Sequence, residues 1–129
     1  MLGYATFGTN DPARANAFYD AVPGSVGIGR MMAFPNGTIA WGSSWEVPMI
    51  AVGVSYDGAS ATNGNGTMLA VKLDSCAKVD TLYAAALAAG GADEGAPGVR
   101  SEEGPQAFYG AYFRDHDGNK LCAFRVGPA

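Results

Sequence analysis

The chain has 129 residues, a formal net charge of −4 and an isoelectric point near 4.7, and this length predicts a single domain. A hydrophobic fraction of 48% with 16% charged residues is typical of a globular protein rather than a disordered one. The acidic balance argues against nucleic acid or an anionic membrane as the main partner, and no apolar run is long enough to span a bilayer.

The first half of the chain predicts one strand, one helix and three further strands. After a strand at Tyr4–Phe7, Asp11 is a suitable N-cap, Pro12 suits the first helical turn, and Val22-Pro23-Gly24 ends the helix. The three strand-like segments that follow are Gly27–Phe34, Thr38–Ser43 and Pro48–Ser55. The segment Tyr56–Gly66 is rich in Gly, Asn and Ser and is interpreted as a linker.

The second half repeats this order. A strand at Met68–Val71 leads to a helix that Asp74 or Ser75 caps and Gly90-Gly91 ends. The strands that follow are Ala92–Arg100, Ala107–Arg114 and Asn119–Val126, the last two forming a hairpin. The stretch Thr9–Val22 aligns with Leu73–Ala86, half a chain later. We therefore predict an α+β fold of two tandem βαβββ modules in one domain, at residues 1–56 and 66–129, with a linker at 57–65.

Two cysteines and one histidine limit the redox and metal chemistry. Cys76 falls at a helix start and Cys122 inside a strand, so they form no recognisable disulfide framework and we expect free thiols. Because the N-terminus also lacks a signal-peptide pattern, we expect a cytoplasmic protein. The single His116 excludes any metal site that needs two imidazoles from one chain.

Side chains alternate along a strand, so each sheet has a helix-packed side and a second side. Two sheets placed edge to edge would join their second sides into one concave surface, apolar with a few polar groups, as in a small-molecule pocket. Alternatively, the same residues fill a core between packed sheets. The residues predicted to line the cavity are Tyr4, Thr6, Ala51, Met68, Ala70, Lys120, Cys122 and Phe124.

Four stretches resemble the vicinal oxygen chelate superfamily, which includes glyoxalase I, bleomycin-resistance proteins and extradiol dioxygenases. They are TNDPARANAFYDAV, GNGTMLAVKLDS, GGADEGAPGVR and FYGAYFRDHDGNKLCAF, of which the last is the most specific. The resemblance implies paired βαβββ modules that form a curved sheet with a concave cavity, and commonly a homodimer, sometimes formed by exchange of modules.

Metal-dependent members of this superfamily place histidine, glutamine or glutamate ligands on four strands. Carried over by motif, those positions in this chain are Tyr4, Ala51, Met68 and Cys122. None of the four is a family ligand, and Cys122 stands where an active glyoxalase would have glutamate. Hard and borderline divalent metals prefer oxygen and imidazole ligands, so the resemblance implies a metal-free member without a cofactor.

These observations leave several functions open. The first is a metal-free protein that binds small molecules, like the resistance proteins, in which Phe34, Trp41, Trp45, Phe108 or Tyr112 stacks on a planar ligand. The second is a glyoxalase-like lyase or isomerase, of the lactoylglutathione lyase type, with a divergent divalent-metal site. A third is metal-independent catalysis by Cys122, with Tyr4 as acid and Lys120 lowering the thiol pKa. A purely structural or interaction role is the fourth.

Overall fold

Each half of the chain folds as one βαβββ module in the computed structural model, which describes residues 1–128. The first module contains β1 (Tyr4–Gly8), α1 (Pro12–Ala21), β2 (Gly29–Ala33), β3 (Ile39–Gly42) and β4 (Met49–Gly53). The second contains β5 (Met68–Lys72), α2 (Cys76–Ala88), β6 (Ala92–Val99), β7 (Phe108–Arg114) and β8 (Lys120–Val126). The predicted α+β fold and its duplicated element order are confirmed.

Both helices begin at the side chains that the sequence indicates. The Asp11 carboxylate accepts a hydrogen bond from the Arg14 N–H, and the Ser75 hydroxyl accepts one from the Lys78 N–H. Gly90, with φ +95°, follows the end of α2 in the left-handed conformation that favours glycine. None of the helices within residues 1–128 is both long and apolar enough to cross a membrane.

The chain leaves α1 differently from the prediction. Val22-Pro23-Gly24 ends the α-helix after Ala21, but a 3₁₀ helix then covers Pro23–Val26, because proline suits a first helical position. Gly27, with φ +82°, stops this second helix. The strand predicted from Gly27 therefore begins only at Gly29. Of the other strands, β1 and β5 are one residue longer than predicted, and the rest are shorter by a residue or two at their ends.

The eight strands form two separate four-stranded sheets. Sheet A has the order β1-β4-β3-β2 and sheet B the order β5-β8-β7-β6. In each sheet the first strand of the module pairs in parallel with the last, and the remaining neighbours are antiparallel. As a result, β1 and β5 lie at sheet edges with one side of their backbone unpaired.

One hydrophobic core joins the two modules. Its large members come from both helices and from the helix-facing side of both sheets: Phe7, Phe18, Tyr19, Trp41, Val52, Val79, Leu82, Phe113 and Leu121. Because both helices share this core with both sheets, the helices lie between the sheets. Each sheet therefore has an inner face toward the helices and an outer face that does not contribute to this core.

The turn between β7 and β8 ties the second module to the first through buried polar groups. The Tyr19 hydroxyl donates to the Asp115 carboxylate at 2.8 Å, and Asn119 donates its backbone N–H and its Nδ2 to the same carboxylate, both at 2.9 Å. Beside them, the Thr9 hydroxyl donates to Asp117 at 2.6 Å. This turn lies in the most specific of the four motif stretches, and its bonds to Thr9 and Tyr19 join the second module to the first.

Candidate functional site on the outer faces of the sheets

Face A, the outer face of sheet A, is apolar. Ala40, Met49 and Ala51 are buried beneath partly buried Met31, Met32 and Phe34. Tyr4 and Thr6 on the edge strand stay exposed, and the Tyr4 ring lies 5.5 Å from the Phe34 ring, centroid to centroid. The one charged residue in the strands of sheet A is Arg30, which pairs with Asp20 of α1. Face A thus offers aromatic and thioether groups without charge.

Face B, the outer face of sheet B, combines aromatic residues with cations. Strand pairing sets Met68 opposite Lys120, Ala70 opposite Cys122, and Lys72 opposite Phe124. On the neighbouring β7, Tyr112 pairs with Cys122, and Phe108 stacks on Phe124 with ring centroids 5.1 Å apart and planes 8° apart. The face therefore carries a stacked aromatic pair, a tyrosine and at least two lysines.

A third cation reaches face B from the end of β6. The Arg100 guanidinium carbon lies 5.6 Å from the centroid of the Tyr112 ring, and the Lys120 ammonium lies 5.5 Å from the same centroid. Two glycines leave space for the arginine: a Cβ on Gly98 or Gly95 would lie 3.0 or 3.3 Å from its guanidinium nitrogens. Arg100 also donates to the Ala96 carbonyl. Its side chain therefore folds back over β6 and is held there.

Cys122 lies beneath this group and is 1% exposed. Burial raises the pKa of its thiol, and the Tyr112 hydroxyl, Arg100 and Lys120 lower that pKa in part. The help from Lys120 that the sequence suggested is present, but it is smaller than the effect of burial. A neutral thiol is a weak nucleophile, so this environment disfavours catalysis by Cys122.

The residues predicted to line one cavity fall into two groups. Tyr4, Thr6 and Ala51 share face A, where Thr6 pairs with Ala51. The other five share face B: Met68, Ala70, Lys120, Cys122 and Phe124. Within residues 1–128, no hydrogen bond, ion pair or aromatic contact joins the two groups. A single cavity built from both faces within one chain stays a prediction, as does the catalytic pairing of Tyr4 with Cys122.

The four positions that the resemblance assigns to metal ligands do not fit a divalent metal. A phenol, a methyl group, a thioether and a buried thiol replace the imidazole and carboxylate ligands at Tyr4, Ala51, Met68 and Cys122. Across the described part of the chain, no group of three or more His, Cys, Asp or Glu side chains is placed to hold a metal ion. His116 instead lies in the β7–β8 turn, where its Nε2 is 2.9 Å from the Ala89 carbonyl.

Of the aromatic residues considered for stacking on a ligand, three lie on the outer faces: Phe34 on face A, and Phe108 and Tyr112 on face B. Trp41 does not, since it is 2% exposed in the common core and its indole N–H donates to Asp20 at 3.0 Å. Trp45 is 64% exposed in the loop before β4. Sequence reasoning missed Arg100, because a long side chain that folds back over its own strand leaves no alternation signal.

A cleft of about 670 Å³ lies on the inner side, between the two modules. Its walls are mostly apolar and include Trp41, Ile50 and Phe113, together with every residue of Met68–Lys72. Because consecutive residues of β5 border it, the unpaired edge of that strand, and not one of its faces, forms the wall. The alternation of side chains could not predict this cleft, which depends on how the modules pack.

Comparison with solved structures identifies the family. A glyoxalase/bleomycin resistance protein from Albidiferax ferrireducens T118 is 34% identical, with 97% of this chain and 98% of that chain covered and a TM-score of 0.85. A glyoxalase/bleomycin resistance protein/dioxygenase family enzyme from Burkholderia phytofirmans PsJN is 25% identical over 97% and 98% of the two chains, with a TM-score of 0.72. No family model and no curated protein matches the chain.

A glyoxalase-related enzyme from Fulvimarina pelagi, 18% identical over 97% of this chain and 87% of that chain, shares the fold with a TM-score of 0.70. The identity to the A. ferrireducens protein over nearly the whole of both chains is decisive. The protein belongs to the glyoxalase/bleomycin resistance protein family, within the vicinal oxygen chelate superfamily, as its motifs predicted.

Proposed function

We propose that the protein is a metal-free member of its family that binds a small organic molecule on the outer faces of its sheets. The observation that carries this proposal is the chemistry of faces A and B. Aromatic, thioether and cationic groups stand where metal-dependent members have a ligand set, and these groups favour an organic ligand. The side chains at the four ligand positions do not support a metal-dependent lyase. Burial of the Cys122 thiol likewise does not support catalysis by that residue.

We further propose that the protein acts as a homodimer in which face A of one subunit meets face B of the other. Both faces point away from the common core, and β1 and β5 leave one backbone edge unpaired. Such a pairing would bring together the two groups of predicted cavity residues that one chain keeps apart. Sedimentation equilibrium tests this point, and a monomer at all concentrations would contradict it.

The unpaired thiols Cys76 and Cys122 support a place in a reducing cytoplasm, consistent with the absence of a disulfide in the described chain. The acidic net charge and the apolar pocket chemistry favour a small molecule as the partner, not nucleic acid or a membrane.

The main proposal is tested on protein purified without a chelating tag, by elemental analysis and native mass spectrometry. We expect metal well below one equivalent per chain after dialysis against Ni(II), Zn(II), Mn(II) or Fe(II), and added mass from a co-purified organic molecule. Stoichiometric metal would contradict the proposal and restore the lyase reading, because it would mean that the ligand positions are not Tyr4, Ala51, Met68 and Cys122.

A further inference from the structure

We infer that the small molecule bound on face B is an organic anion, with a carboxylate attached to an aromatic or otherwise apolar body. The inference rests on the proposed binding function and names the class of its ligand. It depends on three cations, Lys72, Arg100 and Lys120, and on the aromatic residues beside them.

The ion pairs within residues 1–128 leave these three cations without acidic partners. Of the eight lysines and arginines, Arg14, Arg30, Lys78 and Arg114 pair with acidic side chains. Within residues 1–128, no acidic side chain pairs with Lys72, Arg100 or Lys120. In a chain with a net charge of −4, face B is therefore a local region of positive charge.

The acids on the strands of sheet B are already engaged elsewhere. Glu94 accepts from the Arg114 guanidinium at 2.6 Å, and Asp93 accepts from the Tyr83 hydroxyl and the Gly95 N–H, each at 2.8 Å. The Cys122 thiol does not supply the missing negative charge, because burial raises its pKa. The acids on these strands therefore leave the charges of Lys72, Arg100 and Lys120 unpaired.

The geometry favours one compact anion. Arg100 and Lys120 both lie within 6 Å of the Tyr112 ring centroid, so both positive charges border the same aromatic ring. A carboxylate beside this ring would be attracted by both charges, and the planar guanidinium suits a carboxylate. Arg100 is held for this role by the Ala96 carbonyl and by the space over Gly95 and Gly98.

The apolar body of the ligand has a surface beside this cationic pair. The stacked rings of Phe108 and Phe124 continue face B away from Lys120, toward Lys72 at the far end of β5. Rings that are already ordered by stacking lose little freedom when a flat ligand packs on them. Face B thus has positive charge at one end and aromatic surface along the rest, which matches the shape and charge of an aromatic carboxylate.

The test compares two probes of nearly the same shape, 1-naphthoate and its uncharged counterpart 1-naphthamide, by NMR titration of the full-length isotope-labelled protein. We expect naphthoate to bind about tenfold more tightly, the scale of one charge-assisted contact at a part-exposed site. Arg100→Gln and Lys120→Gln should each remove most of that preference, because they weaken naphthoate binding far more than naphthamide binding. Lys120→Arg, which keeps the charge, should retain it.

Lys78→Gln is the matched control, because it removes the same charge from an exposed pair with Asp74 on the other side of sheet B. Its affinity for naphthoate should not change. Equal binding of both probes, unaffected by the Arg100 and Lys120 substitutions, would overturn the inference and leave the proposed binding function standing. A preference for naphthoate that survives both substitutions would also overturn it. Absence of binding by either probe would count against both proposals.

Discussion

Faces A and B are the outer faces of two modules with the same strand order and the same register, yet their chemistry differs. Thr6 and Ala51 pair on face A as Ala70 and Cys122 pair on face B. Around the first pair are methionines and Phe34, without charge. Around the second are Lys120 and the seated Arg100. Duplicated architecture has therefore produced two unlike surfaces.

The inner faces differ much less, and the reason is physical. Both pack against the same layer of two helices, so each must supply closely fitting apolar side chains such as Val52 and Phe113. An outer face has no helix layer to fit, so its side chains are constrained only by the strand backbone that carries them. Because packing in the core does not restrict the side chains of the outer faces, these faces are where this fold can carry a function.

The largest contrast should come from one acidic residue placed on each outer face. Ala51→Glu puts a carboxylate at a fully buried position with no cation nearby on face A, whereas Cys122→Glu puts it beside Arg100 and Lys120. Relative to the matched Gln variants, we expect the charge to cost about 3 kcal/mol or more of unfolding free energy on face A. On face B the cations should offset most of this cost.

Urea unfolding at pH 7 measures the two Glu–Gln differences, and Gln controls for the volume that each substitution adds. Below about pH 4 the introduced acids are protonated, so the difference on face A should disappear there. Equal costs on the two faces at pH 7 would mean that the cations of face B do not act at Cys122, and the contrast between the faces would fail.

A second contrast lies between neighbours on β8. Leu121 faces the common core at 3% exposure, and Cys122 faces outward although it is only 1% exposed. Leu121→Ala should lower the unfolding free energy by about 3 kcal/mol, since it leaves a cavity between sheet and helices. Cys122→Ala removes one sulfur atom and should cost about 1 kcal/mol. Similar losses in chemical denaturation would argue against a core confined to the inner faces.

Much of this arrangement could be predicted from local sequence. Alternation along the strands correctly assigns Leu121 to the helix side and Cys122 to the other, because the period of a strand allows no third choice. The caps at Asp11 and Ser75 are equally local, since each bonds a backbone N–H within its own first turn.

What the sequence could not predict depends on contacts between distant segments. The bond from Tyr19 to Asp115 joins residues of different modules, and nothing in either local pattern indicates it. The seat of Arg100 depends on bulges in β6 that bring two glycines beneath its side chain. The placement of the helices between the sheets likewise follows from packing of the modules, so the separation of faces A and B was not foreseeable.

A smaller, pH-dependent effect should mark the interior that both modules share. Burial, and then the charge and hydrogen bond of Asp115, raise the pKa of Tyr19 well above its ordinary value near 10. The folded protein therefore keeps this phenol neutral, whereas the unfolded chain ionises it near pH 10. The stabilisation is complete below pH 10 and is lost as the pH rises toward the folded-state pKa, at up to about 1.4 kcal/mol per pH unit.

Tyr19→Phe removes this ionisation, so the variant should lose stability less steeply than the wild type above pH 10. The unfolding free energy at pH 7 gives the cost of the lost hydrogen bond to Asp115 separately. The prediction itself concerns the slope of unfolding free energy against pH above pH 10. Parallel curves for the two proteins between pH 10 and 11 would show that Tyr19 is not protected in the shared interior.

The smallest effect concerns the reactivity of the thiol on face B. Two single variants separate the cysteines: Cys76→Ser leaves Cys122 alone, and Cys122→Ser leaves the partly exposed Cys76. We expect iodoacetamide at pH 8 to alkylate Cys122 at least about tenfold more slowly than Cys76, because burial both blocks access and raises the Cys122 pKa. Mass spectrometry of timed samples gives both rates. If Cys122 reacted faster than Cys76, Arg100 and Lys120 would be stabilising a Cys122 thiolate instead of binding an anionic ligand. Face B would then become a candidate site for covalent chemistry.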